Sequence, residues 1–321
     1  MLLIITLTLA GISPALGQEE HVCKGAFETE SIKAKEVDSK CHDGLLTVDS
    51  RIKIAIPKFG DKLVFSWITP MDSGVDSAEI TIDHTSQKVM VASKFPQVSG
   101  VFNQTGAQGS YPLNNLDSGC AYNSYSFLSP FSPYGVEWYY NDVGEPSGQS
   151  NSIYRIGAAF AAWKNETNRC GIPFTGNGLA TKYLGRTDSP EAMGGNPPPY
   201  LSLCSSTREI DEKNVVGWGL LPTSVVAAAC VTHNTSNGKW DSDIRFSTSY
   251  NWFTGSSASG CADAYDLGDI ATHEVGHLIG SGHSTPGTDQ VMNPNAFGCN
   301  FWNRKLSKGD LTGFKALWGS Q

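Results

Sequence analysis

Eleven residues, His273-Glu274-Val275-Gly276-His277-Leu278-Ile279-Gly280-Ser281-Gly282-His283, constrain this chain more than any others. Side chains four apart on a helix stand one turn apart on one face, so His273 and His277 aim both imidazoles at one point. Gly280 can close that helix with a positive φ, and Gly282 loosens the turn that brings His283 round as a third ligand. Three neutral histidines suit a tetrahedral zinc whose fourth position is left to water, and Glu274, beside the first ligand, can take a proton from that water. Such a metal lowers the pKa of water toward about 7 and polarises a carbonyl, which is what hydrolysis of a peptide bond needs. Five fixed positions over about three hundred windows make an accidental match a roughly 10⁻⁴ event, which sets aside histidines that merely cap or pack a helix. His21, His42, His84 and His233 are isolated and read as surface residues.

The 321 residues exceed one ordinary domain, so two domains or one elaborated domain are expected. Lys plus Arg number 23 against 31 Asp plus Glu, and the net charge of −8 leaves no basic patch for nucleic acid. With 40% hydrophobic and 17% charged residues the chain can build a large core, which excludes disorder as its main state. At the start, a continuous apolar stretch from Leu2 to Ile12 is followed by Pro14 and the small residues Ala15 and Gly17. This reads as a secretory signal ending near Gly17, with an uncleaved anchor as the alternative. No later run reaches the roughly 18 apolar residues of a membrane span.

Export places Cys23, Cys41, Cys120, Cys170, Cys204, Cys230, Cys261 and Cys299 in an oxidising compartment, where they are expected to pair. The sequence does not choose among their connectivities, and no C-x-x-C pair points to a cysteine zinc site or a redox motif. Sequons at Asn103, Asn165 and Asn234 mark exposed turns if the chain is glycosylated.

Along the chain the patterning changes once. From Cys23 to about Pro96 it alternates, with Ile52, Ile54 and Ile56, then Leu63 to Ile68, Ile80 and Ile82, and Val89 to Ala92. Period two with turn residues between the runs predicts a small antiparallel β unit. Val98 to Gly135 is rich in Ser, Gly, Asn and Pro and reads as a linker or extended surface segment. Beyond it, Val136 to Tyr140, Val215 to Leu220, Ser224 to Val231 and Ile244 to Ser247 read as strands. Helices are predicted over Ser152 to Asn165, Asp266 to Leu278 and Ser307 to Trp318. Ser307 and Asp310 have the spacing of a capping box. The division is therefore 1–17 as signal, 18–134 as a β-rich N-terminal region and linker serving as propeptide or binding module, and 135–321 as the catalytic domain.

The eleven-residue segment is similar to the zinc motif of metzincin metalloproteases, H-E-x-x-H-x-x-G-x-x-H, and Val291-Met292-Asn293-Pro294 resembles the Met-turn of that clan. Ser284 after the third histidine, Asp266-Leu267-Gly268 and Leu306-Ser307-Lys308-Gly309-Asp310-Leu311 resemble the matrixin branch. Asn214-Val215-Val216-Gly217-Trp218 and Asp243-Ile244-Arg245-Phe246 are similar to strand segments of secreted microbial matrixin-like proteases. The resemblance spans about Gly135 to Gly319. An astacin-like or pappalysin-like metzincin is the neighbouring alternative, and an N-terminal adhesion module on a protease-fold scaffold is an alternative of another class.

The resemblance implies an α+β metzincin (zincin) fold with a five-stranded mixed sheet and an active-site helix. It implies zinc on His273, His277 and His283, Glu274 as catalytic base and Met292 as a hydrophobic floor. A protein or peptide substrate would bind extended along an exposed sheet edge, placed by position at Ser224 to Cys230, with Asn293 to Cys299 as the adjoining wall. A second, structural zinc is not expected, since only His233 lies in the corresponding region. Asp241 and Asp243 are weighed as calcium ligands or as a solvated acidic turn. Arg169-Cys170-Gly171-Ile172-Pro173 resembles the centre of the matrixin cysteine switch, but it follows the first catalytic helix, so Cys170 reads as a disulfide. The N-terminal β pattern differs from a helical matrixin propeptide, so any inhibition by it would work without that switch.

Overall fold

In the computed structural model the described residues are 45–49, 52–55, 61–70, 77–83, 88–95, 118–128, 131–191, 201–203, 211–222, 224–285 and 288–319. The signal reading of 1–17, the sequon at Asn103, His21, His42, His84, Cys23, Cys41 and Cys204 lie outside them.

The alternating N-terminal segments are β1 (Leu45–Asp49), β2 (Ile52–Ala55), β3 (Asp61–Pro70), β4 (Ser77–Asp83) and β5 (Lys88–Phe95). A short helix α1 (Ser118–Ala121) and β6 (Ser126–Phe127) come next. The run from β7 (Val136–Tyr140) through α2 (Ser152–Lys164), β8 (Thr181–Arg186), β9 (Leu201–Leu203) and β10 (Asn214–Gly219) leads to the hairpin of β11 (Ala227–Asn234) and β12 (Lys239–Ser247). The small strands β13 (Trp252–Phe253) and β14 (Tyr265–Asp266) introduce helix α3 (Leu267–Leu278). Then follow β15 (Ser281–Gly282), β16 (Asn295–Ala296), a 3-10 turn at Trp302–Arg304 and helix α4 (Lys308–Trp318).

The fold is α+β, and its main sheet runs β5-β4-β3-β11-β12-β10-β7-β8, with β16 added on β3. Strands β8, β7, β10 and β12 pair in parallel and β11 lies antiparallel on β12, which is the mixed five-stranded unit anticipated from the motifs. Parallel strands need crossover connections, and α2 between β7 and β8 supplies one. Along β7 the buried positions alternate as Val136, Trp138 and Tyr140. Trp138 stacks on Phe160 of α2 at 4.6 Å between ring centroids, so sheet and helix share one core.

Helix α3 is buried at every position from Leu267 to Leu278, as expected of a helix enclosed on all sides. Its buried carbonyls are answered from neighbours: Trp163 of α2 donates its indole N–H to Thr272 O at 2.8 Å, and Trp318 of α4 donates to Ile279 O at 2.9 Å. Asp266 caps the start by accepting from Asp269 N–H at 2.8 Å, and its carboxylate is held by Arg304 Nε at 2.7 Å.

The anticipated exposed edge is not exposed. β11 pairs with β12 on one side and with β3 on the other, antiparallel from Asp61↔Asn234 to Ile68↔Ala227. The reason is general: an edge strand presents unpaired N–H and C=O groups, and an N-terminal strand, buried from Leu63 to Thr69, completes the ladder. The segment read as a linker also holds structure where it is described, since β6 pairs with β15 just before His283.

Disulfides join Cys120 to Cys170 and Cys261 to Cys299. Cys230 is also disulfide-bonded, its partner lying outside the described residues. Cys170 is thus a staple, as its position after α2 suggested, and its sulfur is not available as a switch thiol.

Candidate metal centre and active site

The three histidines converge as the helix-turn spacing predicts. Nε2 of His273 lies 3.0 Å from Nε2 of His277 and 3.2 Å from Nε2 of His283, and all three rings are buried. A zinc with Zn–N bonds of about 2.0–2.1 Å in tetrahedral geometry sets its nitrogens roughly 3.3–3.4 Å apart. The donor set therefore fits such an ion, and among the described residues these three form the group able to hold a metal.

The rings of His273 and His277 are oriented through their other nitrogen. Nδ1 of His273 donates to Val291 O at 2.7 Å and Nδ1 of His277 donates to Ser281 O at 2.9 Å, because a carbonyl can only accept. Those bonds fix the tautomers that leave Nε2 unprotonated and facing the common point. Burial pushes all three imidazoles below the ordinary histidine range, His273 to about 4, which keeps them neutral and able to ligate. Gly280, with φ of 97°, takes the left-handed conformation that ends α3 and turns the chain toward His283.

Glu274 stands next to His273 on α3 with both carboxylate oxygens buried and without a hydrogen-bond partner among the described residues. Burial holds its carboxyl well above the ordinary carboxylate range. A buried oxygen pair with no partner is costly, and it marks a group kept for a ligand or a proton.

Met292 packs tight against α3 at Gly276. A Cβ placed on Gly276 would overlap the Met292 sulfur and approach Trp163 Cζ2 at 2.8 Å, which is a packing reason for glycine between the two helical histidines. The turn itself is held by Asp310 of α4, whose carboxylate accepts from Val291 N–H at 2.9 Å and Met292 N–H at 3.1 Å. The same carboxylate accepts from Ser307 N–H at 2.9 Å, so the capping box read from the sequence also anchors the turn that orients His273. Ser284 N–H donates to Met292 O at 2.8 Å, closing the loop from the third histidine onto that turn.

Two site residues were missed in the sequence, and both come from the N-terminal region. Ser66 of β3 places its Oγ 2.9 Å from Nε2 of His277. Glu79 of β4 accepts the backbone N–H of His283 and lies 3.2 Å from its Nδ1. Burial raises the Glu79 carboxyl to about 7. Ser66 and Glu79 are cross-strand partners, so one register position of the β3–β4 hairpin touches two of the three histidines. The only sequence signal was Ser66 interrupting the apolar run Leu63 to Ile68, while Glu79 looks like an ordinary polar position of an alternating strand.

Other expectations fall away from the centre. Asp241 and Asp243 are buried in β12 rather than in a solvated turn, where Asp243 accepts from Val215 N–H at 2.6 Å and Asp241 from Asp211 N–H at 3.3 Å. His233 is half-buried and stacks on Trp240 at 3.9 Å between ring centroids.

No curated protein matches the sequence. The Matrixin family model matches residues 222–319, a stretch that takes in β11, β12, the histidine cluster, the Met292 turn and α4. With its histidine triad converging on one point, this part of the chain is similar to the Matrixin family and consistent with a metzincin of the metallopeptidase class.

Proposed function

We propose that the chain is a secreted zinc endopeptidase in which His273, His277 and His283 bind the metal through Nε2 and Glu274 is the general base. The observation that carries this reading is the convergence of three Nε2 atoms, the rings of His273 and His277 turned by their Nδ1 contacts, beside a buried carboxylate with no other partner among the described residues. Zinc, when bound there, supplies Lewis-acid polarisation of the scissile carbonyl and makes water acidic enough to attack near neutral pH. Glu274 accepts the proton of the attacking water and returns it to the departing amine nitrogen. Burial holds its carboxyl well above the ordinary carboxylate range, the direction that favours taking up a proton. Met292 and the Asp310 carboxylate hold the floor and the Val291 carbonyl that fix His273.

The substrate on this reading is a peptide held extended between β11 and the segment at β16. Residues 1–17 serve as the export signal, 18–134 as a non-catalytic N-terminal region and 135–321 as the catalytic domain. Two disulfides between described cysteines support an oxidising, extracellular setting. No described helix is long and apolar enough to cross a membrane.

The test is Glu274→Gln, which keeps the shape and removes the base, made in a chain cut between Phe95 and Ser118 and compared with the parent cut in the same way. Metal analysis should still find zinc on the variant, while casein cleavage drops about 10²–10⁴-fold, the usual share of a general base. Digestion at the parent's rate would contradict the mechanism.

A further inference from the structure

The four residues that would perform hydrolysis are sealed from solvent: His273 is 1% exposed, Glu274 0%, His277 1% and His283 3%. A working endopeptidase must admit both water and an extended peptide at those atoms. What covers them is the chain's own β3–β4 hairpin.

β3 lies in the place an extended peptide would need. It runs antiparallel along β11 and then parallel to β16, with Thr69 opposite Asn295 and Pro70 opposite Ala296. An added strand draws its affinity from such main-chain pairing, and a site already paired on both flanks has none to offer a guest. Within β3, residues Leu63 to Thr69 are all buried. At the centre of this stretch Ser66 meets Nε2 of His277, the nitrogen turned toward the metal position. Its cross-strand partner Glu79 holds the backbone N–H and Nδ1 side of His283. The atom Ser66 presents is a hydroxyl, which has no acyl carbon to attack, so the strand fills the cleft at that contact without offering a bond to cut.

We propose that the β3–β4 hairpin is a substrate-like internal plug that keeps the full chain latent, with the Ser66–Glu79 pair as its anchor on the metal centre. The cleft opens only when β3 leaves the edge of β11. This inference rests on the protease reading above, and it replaces a cysteine thiol with a paired strand as the blocking device, since Cys170 is bonded to Cys120.

The experiment uses the full chain with a recognition sequence for a specific protease inserted between Phe95 and Ser118. Three zinc-loaded proteins are compared: uncut, cut, and an uncut Ser66→Ala/Glu79→Ala variant. Binding of a fluorescent peptide hydroxamate, hydrogen exchange of the Ala227–Val231 amides and casein cleavage are measured on each. A plug closed about 99% of the time lowers apparent affinity about 100-fold. Cutting is therefore expected to raise hydroxamate affinity by about that factor and to unprotect the β11 amides, and the double variant to raise affinity about tenfold without cutting. Equal hydroxamate binding and equal exchange in all three proteins would overturn the plug. If cutting opens the cleft by both of those readouts but casein remains intact, the plug stands and the protease reading fails.

Discussion

Helix α3 and the β3–β4 hairpin meet at the same histidine cluster, yet they are specified in different ways. α3 carries its chemistry in side chains at helical spacing: His273 is locked by Val291 O and His277 by Ser281 O, while Trp163 holds the helix backbone at Thr272 and Asp310 holds the turn that carries Val291. The hairpin arrives by backbone pairing, and only Ser66 and Glu79 reach the centre. A motif can place reactive groups, but what surrounds them is decided by which strand completes the sheet.

The largest test of that contrast is Trp67→Ala in β3. Trp67 is fully buried and packs on Phe65 at 5.2 Å between ring centroids, although it lies outside the motif-bearing half. Truncation should destabilise the full chain by about 3–5 kcal/mol in denaturant titration, shifting one common transition. An unchanged midpoint would make the hairpin a separable module and erase the comparison. Smaller is Asp310→Ala on the motif side, which strands two backbone N–H groups of the Met292 turn and breaks the α4 cap. A loss of about 1.5–3 kcal/mol is expected, with weaker zinc retention because the Val291 carbonyl that orients His273 is no longer held. Loss of stability with zinc affinity unchanged would separate the turn from the metal centre. Smallest is Gly276→Ala, expected to cost about 1–3 kcal/mol by driving a methyl group into Met292 and Trp163. A neutral result would show that the floor under α3 is looser than its packing indicates.

Much of this was legible in the sequence, for physical reasons that differ by element. The histidine spacing fixed the cluster because helical geometry leaves His273 and His277 no other relation, and Gly280 gave away the turn because positive φ favours glycine. Ser307 and Asp310 announced a cap, and the helix starts there, but their reach to Val291 and Met292 depends on tertiary packing that spacing does not encode. Period-two runs announced the N-terminal strands. Nothing in alternation names a strand's partner, so the edge of β11 was expected to be open and is instead paired with β3. Asp241 and Asp243 misled for a similar reason: two nearby acids look like a solvated turn, whereas here they accept backbone N–H groups inside a buried strand.

A latent enzyme also reconciles the hairpin's deep burial with its removal. Apolar area of that extent keeps the plug seated in the uncut chain, where only a small fraction of molecules is open at any moment.

The central claim is that the cut chain hydrolyses peptide bonds with one zinc held by His273, His277 and His283. The most direct measurement is metal stoichiometry and casein cleavage on the same cut sample, before chelation, after it, and after zinc is returned. About one zinc per chain, with cleavage lost on chelation and regained with zinc, is the predicted result. Cleavage that persists after the metal has been removed would contradict the account.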